Sequence, residues 1–425
     1  MQRRPYLTNS VLSRREALTL LGAGAAAAAL PSGVFAQPAF APGAVIRTIL
    51  KDYAPAELAG GATLFHEHMS LRDGFLTDWN RFAADARTAN AMPGAAAAGR
   101  GGAAGAGRGA APAGGGAPGG AAAGAGRGAG AAGGAAGAAG RGPAPNIPTG
   151  NVLADEKFMT EEMSIAKREG IGCIVDAGHP DMGRDVGFLR RISQASGLPI
   201  VASAGFYTQP FYPKELSTWT EQKIYDEVMK QIRANPTGAL GEIGSWDYIT
   251  KDERKVFRAI GKVHLATNIP IFTHTGIPGK SALEQLDIFE DAGVDPKHIV
   301  IGHLGNLNDS TKTLEQQTEI HRQVIRRGAF IGFDRQGGAG DTPVVAMAVA
   351  LINAGYSDNL MFASDLSSTR EMKQAGGGGY SKTLTVFVPK IKAAGVSDEI
   401  LHKIMYDNPR RFLAFVPKIA RKDPK

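Results

Sequence analysis

Short apolar runs and longer amphipathic segments alternate along the chain from residue 160 onward. Apolar runs of about four to eight residues are typical of strands buried on both faces, and apolar residues three or four positions apart are typical of helices. The runs predict these strands: Ile171–Val175, Leu198–Ala204, Ala239–Ile243, Ile269–Thr273, Ile299–Gly302, Phe330–Phe333 and Leu360–Ser364. The remaining segments predict these helices: Thr160–Arg168, Val186–Ser196, Ile224–Ala234, Glu253–Ala266, Leu283–Ala292, Glu315–Arg327, Val344–Asn353, Lys382–Ala393 and Asp398–Tyr406.

A further strand is predicted upstream, where the run Ala-Thr-Leu-Phe ends at His66. From Asp176 onward the strand ends are separated by about thirty residues, which is the length of one strand-plus-helix unit. Eight parallel strands in sequence order predict an α/β fold of the (β/α)8 TIM-barrel type, whose chemistry gathers at the C-terminal ends of the strands. A doubly wound sheet is the alternative, but it would spread the strand-end residues along an open edge.

The residues that close these runs are potential metal ligands or carry charge. Five of them follow the later runs: Glu242, His274, His303, Asp334 and Asp365. Upstream, His66 and His68 are spaced to share one side of an extended strand. Imidazoles and carboxylates gathered at one end of a barrel predict a binuclear hydrolytic site, in which a hydroxide lies between two metal ions.

Each ligand has an expected place in this site. We expect the more buried ion to be bound by His66, His68 and Asp365, the more exposed ion by His274 and His303, and both ions by a bridging Glu242. Asp365 is also the expected catalytic residue, since a carboxylate near the hydroxide can take its proton.

The other five histidines and the single cysteine fall outside the predicted metal site. We expect His264, His298, His321 and His402 to lie in solvent, because they fall on predicted helices or just before a strand in polar surroundings. For His179, which follows the second strand, we consider a substrate-facing position. Cys173 lies in an apolar run and is predicted to be a small buried residue, and a single cysteine cannot form an internal disulfide.

The first 36 residues have the three parts of an export signal. The paired Arg14 and Arg15 precede an apolar, alanine-rich run, and Val-Phe-Ala36 follows it. The arginine pair indicates the twin-arginine route and hence a periplasmic or secreted protein. A membrane anchor is the weaker alternative, because the run is shorter than the roughly 20 residues that span a bilayer. No other stretch is apolar enough for stable membrane insertion.

Residues 92–148 consist almost entirely of glycine, alanine and proline with scattered arginine. Such a segment lacks the apolar side chains that offset chain ordering, so we predict it to be disordered. Because the expected ligands lie on both sides of it, we interpret it as an insertion within a single hydrolase domain, residues 37–425, rather than as a linker. A passive tether is favoured over a lid or a partner-binding arm.

The basic character of the chain is confined to these two segments. The formal net charge is +7. The first 36 residues hold four arginines and one glutamate, and residues 91–150 hold four arginines and no acid, which leaves the rest of the chain neutral. A neutral body gives no support for a nucleic-acid-binding face.

The strand-end motifs resemble the phosphotriesterase family of the amidohydrolase superfamily, from about Gly60 to the end apart from the insertion. They are Phe-His66-Glu-His68, Ile-Val-Asp176 with Gly-Arg184-Asp185-Val, Gly-Glu242-Ile-Gly, Thr-His274-Thr, Gly-His303-Leu, Gly-Phe-Asp334-Arg335 and Asn408-Pro-Arg-Arg-Phe-Leu413. The resemblance implies a barrel with two divalent ions, usually zinc, that hydrolyses esters, lactones or phosphotriesters. Glu242 stands where the best-known members carry a carboxylated lysine, as in the glutamate-bridged branch of the family.

Two further positions bear on the substrate. Asn306 and Arg335 stand where organophosphate-hydrolysing relatives carry a second aspartate and a histidine, and the lactonase-like relatives also carry arginine at the latter position. Arginine binds a carbonyl or carboxylate oxygen but relays no protons at neutral pH. The expected substrate is therefore a small carboxylic ester or lactone, with a phosphotriester as a further class, bound by Tyr207 and Arg335. Four aromatic residues are expected either to form the apolar walls of the pocket or to pack the loops: Phe206, Phe211, Tyr212 and Trp246.

Two alternatives remain open at this point. A metal-dependent nuclease of the TatD type shares a barrel with His-x-His, Glu, His, His and Asp, and digestion of DNA without esterase activity would favour it. A non-catalytic metal-binding protein is the other, and an Asp365→Asn variant with unchanged properties would favour that. The chain is considered as a monomer or a homodimer.

Overall fold

The computed structural model describes residues 38–91, 150–276, 279 and 281–422. The predicted export signal at residues 1–36 and the predicted disorder of residues 92–148 lie outside the described residues.

Eight parallel strands form one sheet, and each pairs with the next strand along the chain. They follow a small antiparallel hairpin formed by β1 (Ile46–Arg47) and β2 (Asp52–Tyr53). The sheet consists of β3 (Ala62–Glu67), β4 (Ile171–Asp176), β5 (Ile200–Ala204), β6 (Ala239–Gly244), β7 (Ile271–His274), β8 (Ile299–Ile301), β9 (Phe330–Phe333) and β10 (Leu360–Phe362). The predicted strands are confirmed with ends that differ by three residues or fewer.

Backbone hydrogen bonds bring the first and last strands of the sheet together. The Asp365 N–H donates to the His66 carbonyl at 3.1 Å, and the His68 N–H donates to the Leu366 carbonyl at 3.1 Å. The sheet is therefore a nearly closed ring at its C-terminal end, and the predicted (β/α)8 barrel is confirmed.

Helices lie between successive strands and cover the outside of the ring. The α-helices are Phe75–Ala91, Glu156–Arg168, Val186–Ser196, Glu221–Ala234, Lys251–Thr267, Ala282–Asp291, Leu314–Gln317, Glu319–Arg326, Thr342–Asn353, Val388–Ala393, Asp398–His402 and Asn408–Leu413. Two of the last helices are extended by π-helical turns at Thr383–Phe387 and Lys403–Asp407. No helix among the described residues is both long and apolar enough to span a bilayer.

The helix Val186–Ser196 shows how the sequence sets these elements. The Asp185 side chain accepts from the Phe188 N–H at the N-terminus, and Gly197 ends the helix with φ of +66°, a conformation that suits glycine. Its apolar residues recur three or four positions apart and bury one face, which contains Phe188, Leu189 and Ile192.

The core has two layers because successive residues of a strand face opposite sides. The inner layer, which includes Phe65, Val175, Val201, Phe272 and Val300, fills the ring, and Cys173 belongs to it. The outer layer packs the strands against the helices. The inner layer supports the floor of the C-terminal end, where the strand-end residues lie.

Candidate metal centre

The six predicted metal ligands converge at the C-terminal end of the barrel. His66, Glu242 and His274 are the late residues of β3, β6 and β7, whereas His68, His303 and Asp365 stand just beyond β3, β8 and β10. All are buried except Asp365, whose side chain is 14% exposed. Side chains up to 299 positions apart along the chain thus share one site.

Glu242 occupies the middle of this group. Its Oε2 atom lies 2.9 Å from His274 Nδ1 and 3.2 Å from His66 Nε2. The same atom lies 3.4 Å from His303 Nε2, while Oε1 lies 3.2 Å from His68 Nε2. The two oxygens of one carboxylate therefore face all four imidazoles, as a bridging ligand requires.

The ligand atoms form two groups that share Glu242. In each group all atoms lie within 4.8 Å of one another, which is close enough to surround one cation. The first group contains His66, His68, Glu242 and Asp365, and the second contains Glu242, His274 and His303. The two groups contain the residues that we expect at the two ions, and a third group of His66, His303 and Asp334 overlaps both.

Asp334, at the end of β9, holds two of the imidazoles. Its Oδ2 accepts from His66 Nδ1 at 2.9 Å, and its Oδ1 accepts from His303 Nδ1 at 2.8 Å and from the His303 N–H at 3.0 Å. A carboxylate that accepts from Nδ1–H leaves Nε2 with its lone pair. Sequence reasoning placed Asp334 at a strand end but missed this role, because two donors 268 and 31 positions away are not visible in a local pattern.

The charges in the site favour anionic carboxylates. Burial alone would raise the pKa of Glu242, but the neighbouring His66 and His274 outweigh it and hold that pKa well below its ordinary value. The pKa of Asp365 is likewise lowered against burial, by its hydrogen bond to His68 and by the charges of His303 and Arg335. For Asp334, His303 and His66 outweigh burial in the same way and lower the pKa. The three carboxylates therefore stay ionised, and ionised carboxylates attract cations.

Two of the ligands have unusual backbone conformations. His303 has φ of +60° and Asp365 has φ of +48°, both in the left-handed region that L-residues seldom adopt. Such conformations cost about 1–3 kcal/mol and persist where the surrounding structure fixes them. At these two strand ends the conformation turns the side chain towards the site.

A cavity of about 370 Å³ opens onto the ligands. Its floor includes His68, Glu242 and Asp365, and the predicted substrate-binding residues Tyr207 and Arg335 both line it. Its apolar wall comes from the helix Phe75–Ala91, through Phe75, Leu76 and Trp79. Of the two roles expected for Phe206, Phe211, Tyr212 and Trp246, the wall is wrong: they lie outside the lining and pack in ring contacts with other aromatic residues.

Tyr207 and Arg335 also contact the ligands directly. The Tyr207 hydroxyl accepts from Trp79 Nε1 at 2.8 Å and lies 3.1 Å from His274 Nδ1. Arg335 Nε donates to Asp365 Oδ2 at 3.1 Å, and its guanidinium lies 5.5 Å from the centre of the Trp79 ring. Asn306 is not among the residues that line this cavity.

The remaining histidines mostly differ from expectation. His264, His321 and His402 are buried rather than in solvent, with exposed fractions of 4%, 0% and 7%, and His298 is half-buried. His179 is fully buried, 3.6 Å from Asp181, and does not line the cavity, so a substrate-facing position for it is wrong. These predictions inferred exposure from polar residues adjacent in sequence. That inference fails because one face of an amphipathic helix is buried even when the other face is polar.

The comparison with known families fits this geometry. A model of the phosphotriesterase family matches residues 46–413 of the chain. The chain belongs to the phosphotriesterase family. It is therefore a hydrolase of a metal-dependent family, and its candidate ligand groups lie where a barrel of this class places its chemistry.

The curated relatives carry several activities. An aryldialkylphosphatase of Saccharolobus solfataricus is 31% identical over 281 residues, which cover 61% of this chain and 87% of that protein. The phosphotriesterase homology protein of Escherichia coli is 28% identical over 265 residues, covering 60% and 88%. An N-acetyltaurine hydrolase of Xenopus tropicalis is 27% identical over 288 residues, covering 62% and 80%.

Solved structures share the fold. A lactonase from Listeria monocytogenes superposes with a TM-score of 0.63 at 22% identity, covering 87% of this chain and 98% of that one. The Escherichia coli phosphotriesterase homology protein gives 0.61 at 23% identity, covering 84% and 99%. At these identities the likeness concerns the barrel alone.

Proposed function

We propose that this hydrolase cleaves a carboxylic ester or a lactone at a site that holds two divalent metal ions, with zinc as the expected metal. The choice of substrate rests on the position of Arg335. Its side chain is 28% exposed, lines the cavity and donates to Asp365. A fixed cation beside the proton acceptor suits a carbonyl or carboxylate oxygen and offers no proton relay.

The donor atoms fit divalent cations. Because Asp334 accepts from both Nδ1 atoms, the Nε2 lone pairs of His66 and His303 face Glu242 Oε2 at 3.2 and 3.4 Å. A lone pair opposite an ionised carboxylate needs a cation between them, either a metal ion or a proton, and the charge of Glu242 outweighs burial to raise the pKa of His66 well above its ordinary value. Nitrogen and oxygen donors in this number suit zinc, and also manganese, cobalt or iron.

Six side chains would hold the ions. One ion would be bound by His66, His68 and Asp365, and the other by His274 and His303. Glu242 would bind both ions. Bound divalent ions would lower the pKa of water towards neutrality and polarise the substrate carbonyl.

Three side chains would transfer the proton and orient the reacting groups. Asp365 accepts the proton of the attacking water and returns it to the leaving group. Burial and the charge of Glu242 raise the pKa of Tyr207 well above its ordinary value, so its hydroxyl stays protonated and can donate to a substrate oxygen. Arg335 fixes the orientation of Asp365 through its Nε and presents the rest of its guanidinium to the cavity.

A second candidate comes from the relatives named N-acetyltaurine hydrolase, which suggest an amide of a small sulfonate as substrate. The cavity supports it with two cationic side chains, Arg335 and Lys382. Each cation already pairs with a carboxylate of the lining, Arg335 with Asp365 and Lys382 with Glu371, so a small anionic substrate would share these cations with the carboxylates.

A hydrolysis panel on metal-quantified protein separates these functions. The panel contains lactones, aryl esters, phosphotriesters, N-acetyltaurine and double-stranded DNA, with Asp365→Asn as the inactive control. We expect the highest kcat/KM with a lactone or carboxylic ester. Fast phosphotriester turnover without lactone turnover would refute the preference drawn from Arg335, and cleavage of DNA alone would favour the nuclease.

A further inference from the structure

Glu67 stands between two proposed ligands but faces away from them. Consecutive residues of a strand point to opposite sides, so the carboxylate between His66 and His68 is directed out of the metal group. Glu67 is fully buried. Its Oε1 accepts from the Ser364 N–H at 2.7 Å, and its Oε2 accepts from the Leu366 N–H at 2.8 Å.

These two bonds flank Asp365 on both sides. β10 ends at Phe362, so regular strand pairing does not extend to residues 364–366. Asp365 there has φ of +48°, and its own N–H donates to the His66 carbonyl at 3.1 Å. A strained conformation of this kind persists only where neighbouring groups fix it.

We propose that Glu67 is the positioning residue for Asp365. By binding the N–H groups before and after it, the Glu67 carboxylate fixes the turn that aims the Asp365 side chain. That side chain lies with Oδ1 3.1 Å from His68 Nε2 and Oδ2 3.1 Å from Arg335 Nε. The role rests on the proposed function only in that Asp365 is taken as a metal ligand and proton acceptor.

A buried carboxylate with only a structural role would make the same hydrogen bonds, and the chain contains such a carboxylate for comparison. Glu162 is 1% exposed and accepts from the Lys373 N–H at 3.0 Å and from the Gln374 N–H at 2.8 Å. It contacts none of the proposed ligands. Glu162→Gln is therefore a matched control for the loss of a buried carboxylate that caps two backbone N–H groups.

The test compares Glu67→Gln, Glu67→Asp and Glu162→Gln with the parent full-length protein. Glutamine keeps one acceptor and opposes the second N–H with a donor, whereas aspartate keeps the charge but is one methylene shorter. Thermal unfolding, zinc affinity by competition with a chromophoric chelator, and kcat and KM are measured for each. Zinc affinity reports on Asp365 even if no substrate of the panel is turned over, so failure of the proposed function is distinguished from failure of this inference.

We expect Glu67→Gln to weaken the binding of one zinc ion by about 10- to 100-fold, which is the usual loss when a group that orients a metal ligand is removed. Its kcat should fall by a similar factor with KM changed less than about threefold. Glu67→Asp should lie between Glu67→Gln and the parent, and Glu162→Gln should lower the melting temperature alone. Parental zinc affinity and kcat in either Glu67 variant would overturn the proposal. Equal losses in Glu67→Gln and Glu162→Gln, or failure of both Glu67 variants to fold, would also overturn it by showing a structural role.

Discussion

Asp334 contacts both of the proposed metal-binding groups through one carboxylate. It accepts from the Nδ1 atoms of His66 and His303, one from each of the two groups that share Glu242. A substitution there therefore disturbs both groups without removing any ligand.

We expect Asp334→Asn to bind metal about 10- to 100-fold more weakly, because an amide offers one acceptor for two imidazole donors. Metal affinity and content measured after dialysis check this. The control is Asp341→Asn, a buried carboxylate that accepts from the Gly337 and Gly338 N–H groups and from Lys390. Equal metal binding by Asp334→Asn and the parent would show that the Asp334 hydrogen bonds do not orient the ligands.

His321 is a residue whose neighbourhood the sequence could not reveal. It is fully buried, stacks on Phe333 at 5.3 Å, and donates from Nε2 to the carbonyl of Leu304, the residue after His303. Burial lowers the pKa of His321 to about 4, from an ordinary 6.5.

This shift makes a prediction for stability against pH. As the pH falls below 6.5, His321 becomes protonated in the unfolded chain, whereas in the folded chain it stays neutral down to about pH 4. The free energy of unfolding therefore decreases as the pH falls through this window. The loss attributable to His321 is on the order of 2–3 kcal/mol. Chemical denaturation from pH 7 to 4 should show a smaller loss for His321→Gln, whose amide can still donate to Leu304. Parallel curves for the two proteins would contradict the assignment.

At the scale of elements, the pattern of apolar residues was enough to predict the barrel strands. Runs such as Phe330–Phe333 are buried on both faces, so hydrophobicity marks their whole length. Helix boundaries were less visible. The predicted helix Glu315–Arg327 is divided at Thr318, and the last two predicted helices contain π-helical turns, because tertiary packing decides such local changes.

The helix Phe75–Ala91 was not predicted, although it forms one wall of the cavity. Its first turns carry Phe75, Leu76 and Trp79 towards the site, and no strand-end motif marks them. Trp79 of this helix contacts both predicted substrate-binding residues: its indole N–H donates to the Tyr207 hydroxyl, and its ring packs against the Arg335 guanidinium.

We expect Trp79→Phe to raise KM by about 3- to 10-fold with little change in metal content. Phenylalanine keeps an aromatic ring but removes the indole N–H that holds Tyr207, and one neutral hydrogen bond contributes about 0.5–1.5 kcal/mol. Steady-state kinetics with the best substrate of the panel check this. Trp219→Phe, on a loop outside the cavity, is the control. Unchanged kinetics in Trp79→Phe would show that this wall does not position Tyr207.

For the whole molecule, the ligands lie on both sides of the glycine- and alanine-rich insertion. His66 and His68 precede it, and the other four ligands follow. The eight strands of the sheet and the six proposed ligands all lie among the described residues on either side of residues 92–148.

Replacement of residues 92–148 by a short Gly-Ser linker is expected to leave metal content and kcat/KM within about twofold of the parent, since loop length changes the closure free energy only slowly. Metal analysis, thermal unfolding and the hydrolysis panel check it. Loss of activity with metal retained would assign the insertion a role at the cavity rather than that of a passive tether.

The sequence could predict which residues meet at the site but not how they are supported. Histidines and carboxylates at strand ends are visible because a barrel gathers strand ends. The supports, which are Asp334 for the imidazoles and Glu67 for Asp365, depend on hydrogen bonds between strands distant in sequence. Asp334 has no local signal beyond its place at a strand end, and Glu67 has none beyond its place between two histidines.

We propose that two cations share Glu242, and the metal content of the protein is the decisive measurement. Elemental analysis by mass spectrometry should find two divalent ions per chain in the parent and fewer than two in Glu242→Ala, with both proteins folded by circular dichroism. Two tightly bound ions in Glu242→Ala, or no more than one in the fully loaded parent, would contradict the account.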